Sequence, residues 1–248
     1  MTEIAVQAPE APEHVNSFGR VFGVLFSPKE TFQSIARKPT WLLPMVIVLL
    51  ISIIAVGIFG YRGGWRPYLE KQLANNSRFQ QLSAEQQERS MELQLKLVPR
   101  FVYIEVAVVV VIFLVVIAAI LLGVFNGLMG AKLSFKTSMG IVTHASMTGL
   151  VSGALAILIV SLKDPASIDI QNIVASNVGA FLSSDSPKWL VSLCGSIDIF
   201  SFWQMILLAL GFSAADPKQL SFGKAFGWIF GLWLVFVLAK VGLVAAFT

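Results

Sequence analysis

The sequence predicts an all-α, polytopic membrane protein: a five-helix transmembrane bundle with short amphipathic interfacial helices. Three observations carry that expectation. Of 248 residues, 56% are hydrophobic and 13% charged, and mean hydropathy is +0.78; a soluble domain carries about a quarter charged residues. The apolar residues are gathered into repeated runs of the length that crosses hydrocarbon, about 20 residues each. Such runs must be helical, because an isolated strand in lipid leaves its backbone groups unpaired.

Taken in order, residues 1–16 (MTEIAVQAPEAPEHVN) lack an apolar signal core and read as a disordered polar tail rather than a cleaved leader. Residues 17–40 form an amphipathic interfacial segment. Phe18, Val21, Phe22, Leu25 and Phe26 recur at helical spacing, and "LFSPKETF" then starts a second helix. There Ser27 suits the N-cap and Pro28 the first helical position, while Glu30 falls where its side chain can reach back to the Ser27 amide. Phe32, Ile35 and Ala36 share a face, and Arg37, Lys38 and Trp41 suit a headgroup-level anchor. This segment is expected to lie in the interface plane and to dock on the membrane or the bundle. It is either a helical lead-in to the first crossing or a surface for a partner.

The membrane domain occupies 41–248, with crossings expected at about 41–60, 101–130, 138–161, 190–212 and 222–247. The polar stretch 61–100 reads as two short helices, the second opened by a Ser83 and Gln86 capping box in "SAEQQERSMELQLKLVPR". Residues 162–188 form a shorter extramembrane segment with a turn around 168–174.

Charge leaves the orientation undecided: with the N-terminus inside, 8 basic residues face the cytoplasm and 10 the other side. The net charge of +4 suits juxtamembrane Lys and Arg and not nucleic acid, because no basic cluster is interleaved with exposed aromatics. Cys194 is the single cysteine, so no intrachain disulfide forms.

Three stretches together resemble the Yip family of Ypt/Rab-interacting membrane proteins, in its bacterial branch. They are "LFSPKETFQSIARKPTWLLPMVI" leading into the first crossing, the loop containing "LSAEQQERS", and "SIDIFSFWQMILLALGFS" opening the fourth. In that order, with five crossings, they cover residues 18–247. The resemblance implies a cytosolic N-terminus and a C-terminus across the membrane. Eukaryotic members act in vesicle trafficking and bind prenylated Rab GTPases, typically with an Asp-Leu-Tyr-Gly element before the crossings. This chain lacks that element.

Charged groups at membrane depth cost roughly 2.5–3.5 kcal/mol on insertion scales. Asp198, about eight residues into an otherwise unbroken fourth crossing, is the foremost candidate. It is either an ion or proton site, or a carboxyl satisfied by a neighbouring helix. His144 is expected to pack, with Asn126 or Ser146 as its partner. Glu105 sits one turn into the second crossing, within reach of water, and Gln204 is expected to bridge two helices. Two histidines, one of them His14 in the tail, do not make a metal site, and no cofactor is expected. No G-x-S-x-G, H-E-x-x-H or Walker sequence occurs.

Glycines recur every four residues at Gly123 and Gly127, at Gly149 and Gly153, and at Gly223, Gly227 and Gly231. Such faces let helices approach closely, inside one bundle or, through the fifth crossing, in a homodimer. With the resemblance, the amphipathic N-terminal helices and the lack of a catalytic set, the expectation is a non-enzymatic scaffold or adaptor in the bacterial cytoplasmic membrane, its N-terminus in the cytoplasm as the resemblance implies. Its partners are the lipid bilayer and proteins recruited through the N-terminal segment. The alternative is a small transporter or channel built on Asp198, His144 and Glu105, whose mutual placement separates the two.

Overall fold

Apolar runs fold as helices here, as they must in lipid. The computed structural model describes residues 16–74, 76–164, 167–168, 172–183 and 185–247. The tail expected to be disordered lies outside the described residues except for Asn16, whose Oδ1 accepts from the Gly19 amide at 2.7 Å and caps the first helix.

That helix, α1 (Ser17–Phe26), turns at Ser27 into α2 (Pro28–Arg37). The break falls where expected and Pro28 occupies the first turn, but the Ser27 hydroxyl caps nothing. Ser27 joins the two helices through its backbone instead. Its amide donates to Gly23 O at 2.7 Å and its carbonyl accepts from Thr31 Oγ1 at 2.8 Å. The packed face of α1 also differs from the expected phenylalanine stripe: Val21 and Val24 are buried, while Phe18, Phe22 and Phe26 are exposed.

The first crossing is α3 (Leu42–Tyr61). Beyond it come α4 (Trp65–Ala74), α5 (Ser77–Gln80) and α6 (Ala84–Gly127). The second extramembrane helix and the second crossing are thus one 44-residue helix, not two elements. The Ser83–Gln86 capping box forms, with both bonds present at 3.0 and 3.3 Å. Nothing downstream then stops the helix. Pro99 removes one backbone donor, in a stretch outside the packed core, and the helix runs on.

The third crossing is divided into α7 (Phe135–Ala145) and α8 (Thr148–Leu162). Thr143 and Ser146 hydroxyls and the His144 ring all bond to carbonyls one turn back, competing with the helix ladder. The amides of Met147, Gly149 and Leu150 then make tighter bonds to the third residue back, and the helix resumes. The fourth crossing, expected to be unbroken, is also divided: α9 (Lys188–Ser196) ends at Ile197, and α10 (Ile199–Ala215) starts afresh. α11 (Phe222–Phe247) is continuous over the expected range. Among the described residues, four segments are long and apolar enough to cross a membrane: α3, α6, α7 with α8, and α11. α10, at 17 residues, stands at the lower limit of about 17 for a tilted span. The turn expected around 168–174 lies partly outside the described residues.

α7 sits at the centre, with every residue from Ser138 to Ala145 buried. Leu114, Ala118, Leu121 and Phe125 of α6 pack on it, as do Leu208 and Phe212 of α10. The rings of Phe125 and Phe212 lie 4.6 Å apart. Phe32 and Ile35 of α2 complete this core, both fully buried. A smaller cluster of Phe59, Val160 and Ile168 closes the opposite end, with Trp65 edge-on to Phe59 at 5.4 Å.

Candidate functional site

Two places merit a functional reading: the α1–α2 hairpin and the polar groups along the crossings. The hairpin is held by shape and by one buried cation. Gly211 of α10 and Gly140 of α7 leave the room that α2 fills. A Cβ on Gly211 would collide with Ile141 and come 3.0 Å from the Phe32 ring, and one on Gly140 would meet Thr40 O at 3.1 Å. Arg20 is the lone charge in the apolar decapeptide of α1. Its Nη1 donates to Lys38 O at 2.8 Å and to Thr40 Oγ1 at 3.2 Å, tying α1 to the strap that enters α3. Burial holds its pKa below the usual guanidinium value. Facing away from the bundle, Phe18, Phe22 and Phe26 form an exposed row at four-residue spacing, 63%, 55% and 83% exposed.

Asp198 is not suspended inside a crossing. It is the N-cap of α10, its Oδ1 accepting from the amides of Phe200 and Ser201 at 2.9 and 3.0 Å. Ser176 donates its hydroxyl to the other carboxylate oxygen. Around this break the backbone is paired as well: the Val178 amide reaches Ile197 O, and the Ile199 amide reaches Ser176 O, both at 3.1 Å. Irregular backbone near hydrocarbon survives only when satisfied in this way. A 3₁₀ turn at Val178–Phe181 closes over α9. It does so at Gly179, where a Cβ would lie 2.8 Å from the Gly195 amide nitrogen. Lys240 of α11 donates to Ser196 Oγ at 2.7 Å, placing a cation at the C-terminal end of α9, where the helix dipole favours one.

His144 is fully buried, its Nδ1 2.7 Å from Gly140 O. Neither expected partner meets it. Asn126 is taken by Leu133, bonding its amide at 3.0 Å and its carbonyl at 2.9 Å across the turn between α6 and α7. Ser146 bonds Val142 O and accepts from Gln204 at 3.1 Å, which joins α10 to the α7–α8 break. Among the described residues, Arg20 Nε and His144 Nε2 are buried without a protein partner. Glu105 is exposed on α6. Asp198, His144 and Glu105 therefore occupy three separate environments. A shallow depression in the extramembrane loop, lined by Gln72, Asn76, Ser77 and Arg78, contains none of them.

For six of the seven expected packing glycines, one of the two expected uses, close approach inside one bundle, is not seen. A Cβ on Gly123, Gly127, Gly149, Gly223, Gly227 or Gly231 would meet nothing within 4 Å, so these residues do not pack inside the bundle. Of the seven, Gly153 alone makes a close approach, to Ile51 of α3. The glycines that seat α2, Gly140 and Gly211, carry no four-residue repeat and gave no periodic signal.

This arrangement of a docked amphipathic hairpin, a long second-crossing helix and an Asp-capped fourth can be placed by comparison. The sequence matches the Yip1 domain over residues 22–243. The chain belongs to the Yip1-domain family. This Yip1-domain protein is also similar to "Membrane protein YknW" of Bacillus subtilis (strain 168), at 27% identity over 238 residues covering 88% of each chain. No solved structure matches it. It is thus an integral, multi-pass membrane protein of the Yip family.

Proposed function

We propose that this chain is a non-enzymatic scaffold or adaptor of the bacterial cytoplasmic membrane. Its N-terminus lies in the cytoplasm and its C-terminus across the membrane after five crossings, as the family resemblance implies. One observation carries the adaptor reading. The α1–α2 hairpin is anchored through Phe32, Ile35, Val21 and Val24, yet holds three phenylalanines outward. A surface that is both rigid and apolar recruits a partner at little entropic cost. The loops joining α6 to α7 and α10 to α11 meet at one end of the bundle, where the Lys132 amide donates to Asp216 Oδ2 at 3.4 Å.

The test is co-purification from native membranes. A Phe18→Ser, Phe22→Ser, Phe26→Ser variant keeps the packed face and removes the exposed row. Its bound membrane partners should fall several-fold against wild type. An unchanged set of partners would defeat the adaptor reading. The transporter alternative requires Asp198, His144 and Glu105 to share a wet cavity, and their separate surroundings give it no support.

A further inference from the structure

Helix α6 is longer than a crossing requires. Its 44 residues extend about 66 Å at 1.5 Å each, whereas hydrocarbon takes about 30 Å, or 20 residues. The apolar run that crosses begins near Phe101 and has 27 residues to Gly127, enough for a tilted span, so the stretch from Ala84 to Arg100 is not needed for the crossing. Lipid therefore does not explain the apolar side chains exposed there: Leu93 is 57% and Leu97 41% exposed.

These residues belong to a stripe that continues into the membrane at spacings of four, four and three. Leu93, Ile104 and Val115 stand 11 residues apart, all exposed. Leu97 and Val108 form a second column, which ends at exposed Ala119. Phe101 and Ile112 form a third, ending at Gly123, where a Cβ would meet nothing within 4 Å. An 11-residue period keeps one face of a helix in register and winds a pair right-handedly. Small residues at the membrane end suit the close approach of such a crossing.

Charges flank the stripe on opposite sides. Arg100 and Glu105 are both exposed, and neither is in an ion pair among the described residues. In a parallel pair related by a two-fold axis, one copy's flank faces the partner's other flank, and long side chains five positions apart, about 7.5 Å along the axis, reach each other there. Arg100 and Glu105 have that offset. Arg89 and Gln94 repeat it 11 residues earlier. Two copies inserted in the same orientation must pair α6 in parallel, so each Arg100 would meet the Glu105 of the other copy.

We propose that a second copy of this chain covers the exposed stripe of α6, forming a parallel homodimer with two Arg100–Glu105 contacts. The inference does not depend on the adaptor reading. The full chain in phosphatidylcholine–phosphatidylglycerol vesicles, with Cys194→Ser as background, tests it by oxidative cross-linking. Leu93→Cys and Leu97→Cys should give several-fold more covalent dimer than Glu92→Cys, which lies off the stripe. In the same vesicles, Arg100→Glu and Glu105→Arg should each lower the dimer fraction about fivefold, because a modest pair contribution counts twice under two-fold symmetry. The combined exchange should return it to the wild-type level. A monomer in vesicles, equal cross-linking at position 92, or no recovery in the combined variant overturns the proposal. Helix content by circular dichroism, unchanged across the variants, separates loss of pairing from loss of fold.

Discussion

The ring of Phe32 in α2 lies 3.0 Å from where a Cβ on Gly211 of α10 would stand. A helix outside the crossings thus enters the core through a gap that a glycine leaves open. Phe32→Ala should destabilise the protein by about 3–5 kcal/mol, as for other buried aromatics. Gly211→Ala gains about 1 kcal/mol of helix propensity but crowds Ile141 and Phe32, a cost of about 1–3 kcal/mol, so it should be neutral to destabilising. Reversible unfolding in mixed micelles measures both. A Phe32→Ala protein as stable as wild type would show that α2 is not part of the core.

Asp198 acts as a cap held by Ser176. Asp198→Ala should cost about 1–2 kcal/mol, the usual loss for a helix cap, and should lower amide protection around Phe200 and Ser201. Asp198→Asn keeps an acceptor oxygen and should retain most of the stability. Ion or proton flux in proteoliposomes should be the same for both variants and wild type. A flux that vanishes in Asp198→Asn with stability intact would instead make the carboxylate a transport group.

Gly153 and Gly227 separate packing glycines from open ones. Gly153→Leu collides with Ile51 and should lower the stability of the α3–α8 contact by about 1–3 kcal/mol. Gly227→Leu meets no neighbour in the chain and should leave thermal stability in detergent within about 0.5 kcal/mol of wild type, as substitutions in open positions do. If Gly227→Leu is the damaging one, or splits an oligomer on size-exclusion light scattering, α11 is an interface between copies.

Arg20 fastens α1 to the strap before α3. Arg20→Ala should remove hydrogen bonds from a charged donor, worth about 1.5–3 kcal/mol, and should speed hydrogen exchange across residues 17–37. Arg20→Lys keeps the charge but not the planar fork, and should recover only part of the protection. Equal exchange in all three proteins would show that the apolar contacts of α1 suffice.

Much of the architecture was legible in the residues themselves. Lipid forbids unpaired backbone, so long apolar runs of this composition had to become helices, and the ends of α3 and α11 follow from where those runs stop. The Ser83 box and the break at Ser27–Pro28 were readable because caps and prolines act within one turn. What the tertiary structure decided is everything set by contact between distant segments. Asp198 looks like a charge within a crossing until the fold breaks the helix there, so that it caps α10, and brings Ser176, 22 residues earlier in sequence, to its other carboxylate oxygen. The glycine repeats mark faces that tolerate close approach, but only neighbours determine which faces are used. Gly140 and Gly211 are used with no repeat to announce them. Burial is a property of pairs of surfaces, and one-dimensional periodicity records only one member of each pair.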